Sequence, residues 1–197
     1  MNNKKHRHIS TAQFIFLGFF SVILLGGLIL MLPFASRQGE SPSFIDALFT
    51  ATSATCVTGL VVHDTATYWS EFGQTVILFL IQIGGMGVIT IAILLTMMSG
   101  RKISLRQRTL MQEAISAPKM GGIVKLTGFI FKAIIIFEIF GAVFMFPVFY
   151  KEFGLLKGAW YSIFHSISAF CNAGFDLMGV KGHYSSMTTL SGSVVIS

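Results

Sequence analysis

The stretch SATCVTGL, residues 53–60, lies between two apolar segments, and a second copy, SAFCNAGF, follows 115 residues later at 168–175. The two copies carry Ser, Ala, Cys and Gly at the same four places. Each copy is too polar for the interior of a membrane helix and too apolar for an ordinary solvated loop. The repetition therefore predicts a duplicated structural unit with a specialised segment at its centre.

The composition around these copies is that of a membrane protein. Hydrophobic residues make up 53% of the chain, and the mean hydropathy is +0.75. A helix needs about 20 apolar residues to cross a hydrocarbon core of about 30 Å. Three blocks meet that length, at Ile9–Leu32, Phe72–Met98 and Ile123–Phe146. The first is longer than the apolar core of a secretion signal, so we interpret it as a retained span.

The basic residues predict the orientation of the chain, because short loops rich in Lys and Arg stay in the cytoplasm. Residues 1–8 and the connector 99–122 are basic, whereas the segment 33–71 is mainly acidic. We therefore expect the N-terminus and 99–122 in the cytoplasm, and 33–71 and 148–186 outside. The net charge of +6 follows from this distribution and does not indicate nucleic-acid binding. Two cysteines cannot form a disulfide framework, and they lack neighbours for a metal site.

A short helix precedes the first copy. Ser43 and Asp46 have capping-box spacing, and they predict a helix over about 44–54. A helix of that length reaches only halfway through a membrane, which predicts a re-entrant segment followed by non-helical backbone. The C-terminal end of such a helix carries partial negative charge and attracts cations. The run from Thr55 to Gly59 would then present backbone carbonyls, which can replace the hydration shell of a potassium ion.

The duplication extends beyond the two copies. Phe49 matches Phe164, Gly26 matches Gly141, and Met31-Leu32-Pro33 matches Met145-Phe146-Pro147 after a one-residue slip. The predicted fold is an all-α membrane protein built of units of span, pore helix, filter strand and span. The first unit is 9–98 and the second is 123–197, with its last helix expected near residue 187. We expect a front part of a longer chain; the alternative is a complete short protein that dimerises to close a pore.

Three motifs in order carry a family resemblance: FIDALFTATSATCVTGL at 44–60, GQTVILFLIQIGGMGVIT at 73–90 and FHSISAFCNAGF at 164–175. The chain resembles the Trk, Ktr and HKT superfamily of cation transporters, and most of all the membrane (pore) subunit of a bacterial Ktr potassium uptake system. The resemblance implies potassium uptake through backbone-carbonyl filters, with K+ as the transported ion and no cofactor in this chain. Related proteins with Ser in place of the first filter glycine tend toward sodium, so Gly59 favours potassium. The alternative is a sodium or poorly selective monovalent cation transporter of the same fold.

The resemblance also implies site residues and partners. The partners are the lipid bilayer, a second copy of the chain in a homodimer, and a cytosolic nucleotide-binding ring subunit of the Ktr type that gates the pore. The chain itself has no Gly-rich nucleotide fingerprint after a strand. The filter residues that bind K+ by their carbonyls are Cys56, Val57, Thr58, Gly59, Cys171, Asn172, Ala173 and Gly174.

Several other residues leave alternatives open. Gly84, Gly85 and Gly87 could form a gate or a close packing surface. Glu138 lies in the third span and needs a partner, as a coupling carboxylate or as a structural hydrogen bond. His165 fits a structural hydrogen bond better than a ligand site, and His63 with Asp64 fits a solvated loop pair better than a cation-concentrating mouth. An intramembrane enzyme needs a convergent base and nucleophile, which these positions do not supply, so we expect no enzyme.

Overall fold

The computed structural model describes residues 11–87, 90, 109, 112, 123–182 and 185, and within them the regular structure is helical. The only β feature in these residues is an isolated bridge between Ser36 and Trp69. This confirms the predicted all-α class. The helices are α1 (Thr11–Leu30), α2 (Phe44–Thr55), α3 (Glu71–Met86) and α4 (Ile123–Phe170), with short 3-10 turns at Pro33–Ala35 and Met178–Lys181.

The helices begin where the sequence offers caps. The Ser43 hydroxyl accepts a hydrogen bond from the Asp46 amide at 3.1 Å, which starts α2 as predicted. Ser70 caps α3 in the same way, through the Gly73 amide at 3.2 Å. Helix α3 ends at Gly87, whose φ of 81° a side chain would disfavour. The predicted second span continues to Met98, and apart from Thr90 its remaining part lies outside the described residues.

Helix α4 extends beyond the predicted end of the third span at Phe146. It continues through Pro147 and bends at Gly154, where φ is 77° and ψ is −173°. These angles interrupt the helix and divide it into two arms, 123–153 and 155–170, which we call α4a and α4b. The predicted span ends where its apolar block ends, at Phe146, and the helix itself runs on because proline weakens a helix interior without always ending it. A glycine in the charged segment 151–157 was the signal for the true break.

Both short helices fold back along the helix that precedes them. A Cβ atom on Gly27 of α1 would lie 3.4 Å from the Leu48 Cα of α2. In α4, a Cβ atom on Gly158 would lie 2.9 Å from the Tyr150 nitrogen. Further along α4b, the His165 ring stacks on Phe149, with centroids 5.0 Å apart. Each pair is therefore an antiparallel helical hairpin with close backbone contact at a glycine.

Helix α3 packs against the first hairpin and also contacts α4. Its Leu80 side chain fills the space over Gly26 of α1. The buried side chains between these elements include Trp69, Ile77, Ile81, Phe149 and Phe164. This core holds the C-terminal ends of α2 and α4b next to each other.

One helical segment of the described residues is long and apolar enough to cross a membrane by length and composition. It is Lys125–Phe170, with a hydropathy of 2.3, and only 6% of its apolar window is buried within the chain. Shorter apolar helices occur at Ile15–Leu30 and Glu71–Met86.

Candidate functional site

Helix α2 ends in a Schellman motif formed by the first copy of the repeated stretch. In this motif the amides that follow a helix turn back to its last carbonyls, and the residue after the C-cap takes a left-handed conformation. Val57 is that residue, with φ of 57°, which is unusual for a β-branched side chain. The amides of Cys56, Val57 and Thr58 donate to the carbonyls of Thr52 (2.8 Å), Ala54 (3.3 Å) and Ser53 (3.0 Å).

Helix α4b ends in the same motif, 115 residues later. Asn172 replaces Val57 and has φ of 55°, a conformation that asparagine tolerates better than valine. Gly59 and Gly174 follow with φ of 74° and 72°. The amides of Cys171, Asn172 and Ala173 donate to the carbonyls of Ile167 (2.9 Å), Ala169 (3.0 Å) and Ser168 (2.7 Å). The two loops, 56–60 (loop A) and 171–175 (loop B), therefore have equivalent backbone conformations.

The hydrogen bonds of these loops occupy the first three amides of each loop and leave its carbonyls available. The three amides after each helix are occupied by helix carbonyls. Within the described residues, the carbonyls of 56–59 and 171–174 accept no hydrogen bond. Free carbonyls next to the negative end of a helix favour a cation and disfavour an anion. The loops therefore have the chemistry of a cation site built from backbone oxygens.

The two loops touch at their glycines. A Cβ atom on Gly59 would lie 2.7 Å from the Ala173 oxygen and 3.1 Å from the Gly174 Cα. A Cβ atom on Gly174 would lie 3.2 Å from the Gly59 Cα. Both positions combine a left-handed backbone with a close backbone neighbour, so a side chain is disfavoured at both, and more strongly at Gly59.

A serine on each helix lies behind its loop, and the two serines bond differently. The Ser53 hydroxyl pairs with the Thr58 hydroxyl at 2.9 Å. The Ser168 hydroxyl donates to the Phe175 carbonyl at 2.6 Å. Sequence reasoning matched these serines by position but did not predict that their partners differ.

The predicted glycines of α3 lie behind the two loops. Gly84 lies against the Thr55 carbonyl, where a Cβ atom would overlap the oxygen. A Cβ atom on Gly85 would lie 2.5 Å from the Cys171 sulfur. A Cβ atom on Gly87 would have the Thr90 hydroxyl as its nearest neighbour, at 3.9 Å. Gly84 and Gly85 thus allow α3 to approach the base of both loops, and Gly87 ends the helix.

Two glutamines of α3 bridge to the second half of the chain. The Gln74 amide nitrogen donates to the carbonyls of Thr65 (3.3 Å) and Trp69 (3.2 Å), and its oxygen accepts from the Trp160 indole at 2.9 Å. Gln82 donates to a Glu138 carboxylate oxygen at 2.7 Å. Glu138 therefore has the partner that its position in a span demands, and sequence reasoning had not identified which residue it was.

A cavity of about 490 Å³ lies beside the Gln82–Glu138 pair, between α3 and α4. Its lining is otherwise apolar, with Leu78, Phe79 and Ile135 among its residues. The polar pair therefore faces a largely apolar cavity.

His165 uses both ring nitrogens in structural hydrogen bonds. Its Nδ1 lies 2.7 Å from the Tyr161 carbonyl, and its Nε2 lies 3.2 Å from the Leu177 amide nitrogen. Because an amide can only donate, Nε2 is the acceptor and Nδ1 carries the proton. The histidine therefore ties the segment after loop B to helix α4b, which agrees with the structural alternative.

The segment after loop A corrects one expectation from the sequence. Asp64 is not a solvated residue: it is 8% exposed, and its carboxylate accepts from the amides of Ala66 (2.9 Å) and Thr67 (3.0 Å). The carboxylate closes the turn that it begins, as short acidic side chains do. His63 pairs with Asp46 instead, at 3.3 Å, and stacks on Tyr68. The hydrogen bond to Ser43, and then His63, hold the pKa of Asp46 below its usual value.

On the loop B side, Asp176 follows the loop directly. Burial, and then the nearby charge of Asp64, raise the pKa of the Asp176 carboxyl above its usual value, while the Met178 amide opposes the shift. Within the described residues, no group of three or more His, Cys, Asp or Glu side chains could hold a metal ion. Cys56 and Cys171 are free thiols.

Comparison with known proteins identifies the family. The profile of the TrkH family, described as "Cation transport protein", matches residues 3–195. The chain is 49% identical over 179 residues to the potassium/sodium uptake protein NtpJ of Enterococcus hirae, which covers 91% of this chain and 40% of that protein. It is 47% identical over 165 residues to the Ktr system potassium uptake protein B of Bacillus subtilis (84% and 37%), and 41% identical over 165 residues to its namesake from Vibrio alginolyticus (84% and 36%).

The chain spans about two fifths of the length of these relatives. The proteins of the family are membrane transporters and not enzymes, which confirms the expectation from the sequence on both points. The chain therefore belongs to the TrkH family of cation transport proteins.

Proposed function

We propose that the chain supplies two of the walls of a potassium-uptake pore, with α2 and α4b as pore helices and loops A and B as two strands of its selectivity filter. The observation that carries this proposal is the duplicated loop geometry: two equivalent loops meet at Gly59 and Gly174, and among the described residues nothing donates a hydrogen bond to their carbonyls at 56–59 and 171–174. The repeat unit is a span, a re-entrant helix, a filter strand and a second span. The first copy consists of α1, α2, loop A and α3, and the second copy begins with α4a, α4b and loop B.

The charge of the transported ion follows from the hydrogen-bond pattern. The first three amides of each loop are bonded back to the helix, whereas within the described residues the carbonyls of 56–59 and 171–174 accept no hydrogen bond and can contact an ion. Two helices direct their C-terminal ends to the same place, and each end carries about half a negative charge. Both features lower the free energy of a monovalent cation without requiring a carboxylate, since backbone carbonyls can replace its hydration shell.

The identity of the ion rests on the filter glycine and on the relatives. Gly59 supports potassium over the alternative of a sodium or poorly selective carrier, because related proteins with Ser in place of the first filter glycine tend toward sodium. The names of the relatives support this, since two are potassium uptake proteins, whereas NtpJ is named for potassium and sodium.

Orientation and partners are part of the same proposal. The basic segments 1–8 and 99–122 face the cytoplasm, and the turns of the two helical hairpins face the outside. A cytosolic nucleotide-binding ring binds below the pore and gates it, and the membrane subunit forms a homodimer. The support is the Ktr system named in the relatives, and any nucleotide binds to the partner.

Ion flux tests the proposal. The complete protein is reconstituted in liposomes, and uptake of a potassium tracer is measured against added potassium, rubidium and sodium. We expect potassium and rubidium to compete strongly and sodium weakly. Equal competition by sodium would favour the poorly selective alternative, and no flux with the regulatory ring present would contradict the proposal.

A further inference from the structure

The Gln82–Glu138 pair lies where two cavities meet along α4. Both residues line the cavity of about 490 Å³ between α3 and α4. A second cavity, of about 240 Å³, lies between α4a and α4b and shares Ile135, Glu138 and Ile167 with the first. Glu138 is therefore the one charged residue in the lining of two adjoining apolar spaces.

A third cavity extends this row toward the outer end of the span. Its volume is about 200 Å³, and it shares Ala142 and Ile163 with the second. From Phe131 to Phe146 the row follows about 22 Å of α4a. Its lining is apolar apart from the Gln82–Glu138 pair and Ser162, whose hydroxyl is bonded within α4b. The three cavities, which we call the α4 groove, are long enough for a hydrocarbon chain.

The α4 groove opens at the apolar surface of the described residues. Phe79, Ile139 and Val143 line it and are 65%, 59% and 66% exposed. A molecule dissolved in the hydrocarbon of the bilayer can therefore enter the groove from the side.

The polar pair offers two acceptors that the described residues leave incompletely satisfied. Glu138 is 5% exposed, and the described donor to its carboxylate is Gln82, at 2.7 Å; the Ser166 hydroxyl donates to the Glu138 backbone carbonyl instead. No cation among the described residues pairs with Glu138. Because an ionised carboxylate only accepts, Gln82 turns its nitrogen toward it, and the Gln82 amide oxygen is left buried without a partner.

We propose that the α4 groove binds a primary alkylamine, with its chain along the cavities and its ammonium group between the Glu138 carboxylate and the Gln82 amide oxygen. An ammonium has three donors and a positive charge, so one head group serves both oxygens, whereas a hydroxyl has one donor and no charge. The positive charge also offsets the cost of a carboxylate within a span. Binding at this site does not depend on the proposed role of loops A and B.

Helix α3 connects the groove with loop B. Gln82 lines the groove, and Gly85, three residues later, lies against the Cys171 sulfur of loop B. A bound amine therefore contacts the helix that supports loop B, one turn from the point of support.

The test uses the complete protein in liposomes and a decylamine that carries a photoreactive diazirine in its chain. After illumination, mass spectrometry of peptides locates the label, which we expect in residues 78–86 and 131–146. Three competitors separate the contributions of the head group: decylamine, decyltrimethylammonium, which is charged but has no N–H donor, and decanol. We expect decylamine to displace the label at a concentration at least about tenfold lower than either of the others, because charged hydrogen bonds are the strong ones.

Two variants test the polar end of the groove. Glu138→Gln removes the charge at nearly constant size, and we expect it to weaken the binding of decylamine about tenfold or more. The matched change Glu152→Gln removes a glutamate that pairs with Lys181 outside the groove, and it should leave the labelling unchanged. If Glu138→Gln protein does not accumulate, Ile135→Trp takes its place: it adds bulk to two of the cavities, keeps the Gln82–Glu138 pair and should also lower the labelling.

Four outcomes overturn the inference. The first is equal displacement by the three competitors, and the second is stronger displacement by decanol, which would indicate a neutral ligand. The third is undiminished labelling in Glu138→Gln protein, or in Ile135→Trp protein where that variant replaces it. The fourth is label outside the groove only, which is the result expected if another part of the complete protein covers it.

Discussion

Gly59→Ser is the substitution whose effect the structure predicts most directly. Gly59 has φ of 74°, and a Cβ atom there would lie 2.7 Å from the Ala173 oxygen. A side chain in the left-handed region costs about 1–2 kcal/mol. Relieving the contact requires one strand to shift, at about 1–3 kcal/mol for overpacking. The displaced strand carries the carbonyls that face the ion, so we expect the preference for potassium over sodium to fall by about 1–3 kcal/mol, or about 5- to 150-fold.

Two matched glycines calibrate this effect. Gly174 has nearly the same φ, but a Cβ atom there meets only the Gly59 Cα, at 3.2 Å. We therefore expect Gly174→Ser to lower the preference by about 1 kcal/mol, since the backbone cost remains and most of the overlap does not. Gly39 also has a left-handed backbone, with φ of 73°, but no atom lies within 4 Å of its Cβ position. Gly39→Ser should leave selectivity unchanged.

The assay is potassium and sodium uptake by the complete protein in cells that lack their own potassium uptake, with the amount of membrane protein measured in parallel. The reasoning would be refuted if Gly59→Ser protein reached the membrane in normal amount and transported potassium with unaltered affinity and selectivity. It would also fail if Gly39→Ser had the same effect as Gly59→Ser.

The remaining predictions concern stability, pH and orientation. Gln74→Leu leaves the Trp160 indole without its acceptor and the Thr65 carbonyl without its donor, while the Trp69 carbonyl keeps its bond from Arg37, so we expect a loss of about 2–3 kcal/mol, seen as a lower melting temperature in detergent. Thr75→Val, whose hydroxyl bonds to Glu71 within α3, should have little effect. Gly84→Ala places a methyl group on the Thr55 carbonyl and should lower both the melting temperature and uptake, at about 1–3 kcal/mol, whereas a gain of stability would contradict the packing. Because the pKa of Asp46 lies below its ordinary value of 3.8, the ionised carboxylate stabilises the fold fully above that pH, and this stabilisation is lost as the pH falls through the folded-state pKa. Asp46→Asn should therefore weaken the fall of the melting temperature at acid pH. An unchanged dependence of the melting temperature on pH would exclude this role. Gln107→Cys should resist membrane-impermeant labelling in intact cells, and ready labelling would reverse the proposed orientation.

The sequence predicted the local features of the site. Helix α2 was expected to begin after Ser43 and to end before Cys56, and it does so within one residue. Capping by Ser43 depends on residues that are neighbours along the chain, so a pattern of a few letters is sufficient. The internal repeat likewise predicted equivalent loops, because similar sequences in similar surroundings adopt similar backbones.

Long-range contacts were not predictable in the same way. The pairing of Gln82 with Glu138 joins residues 56 positions apart, and nothing in either local sequence selects that partner. The left-handed conformation of Val57 opposes the preference of a β-branched residue and is held by the Schellman bonds around it. The continuation of α4 to Gly154 was not predicted, because the apolar pattern that marks the span ends at Phe146.

The central claim is that a cation binds between loops A and B. The direct measurement is a structure of the complete protein with rubidium or thallium in place of potassium, in which the heavy ion is located by its anomalous signal. The account predicts ion density between the two loops, next to the carbonyls of residues 57–59 and 172–174, and loss of that density in Gly59→Ser. Ion density elsewhere in the protein, with none between the loops under conditions of transport, would contradict it.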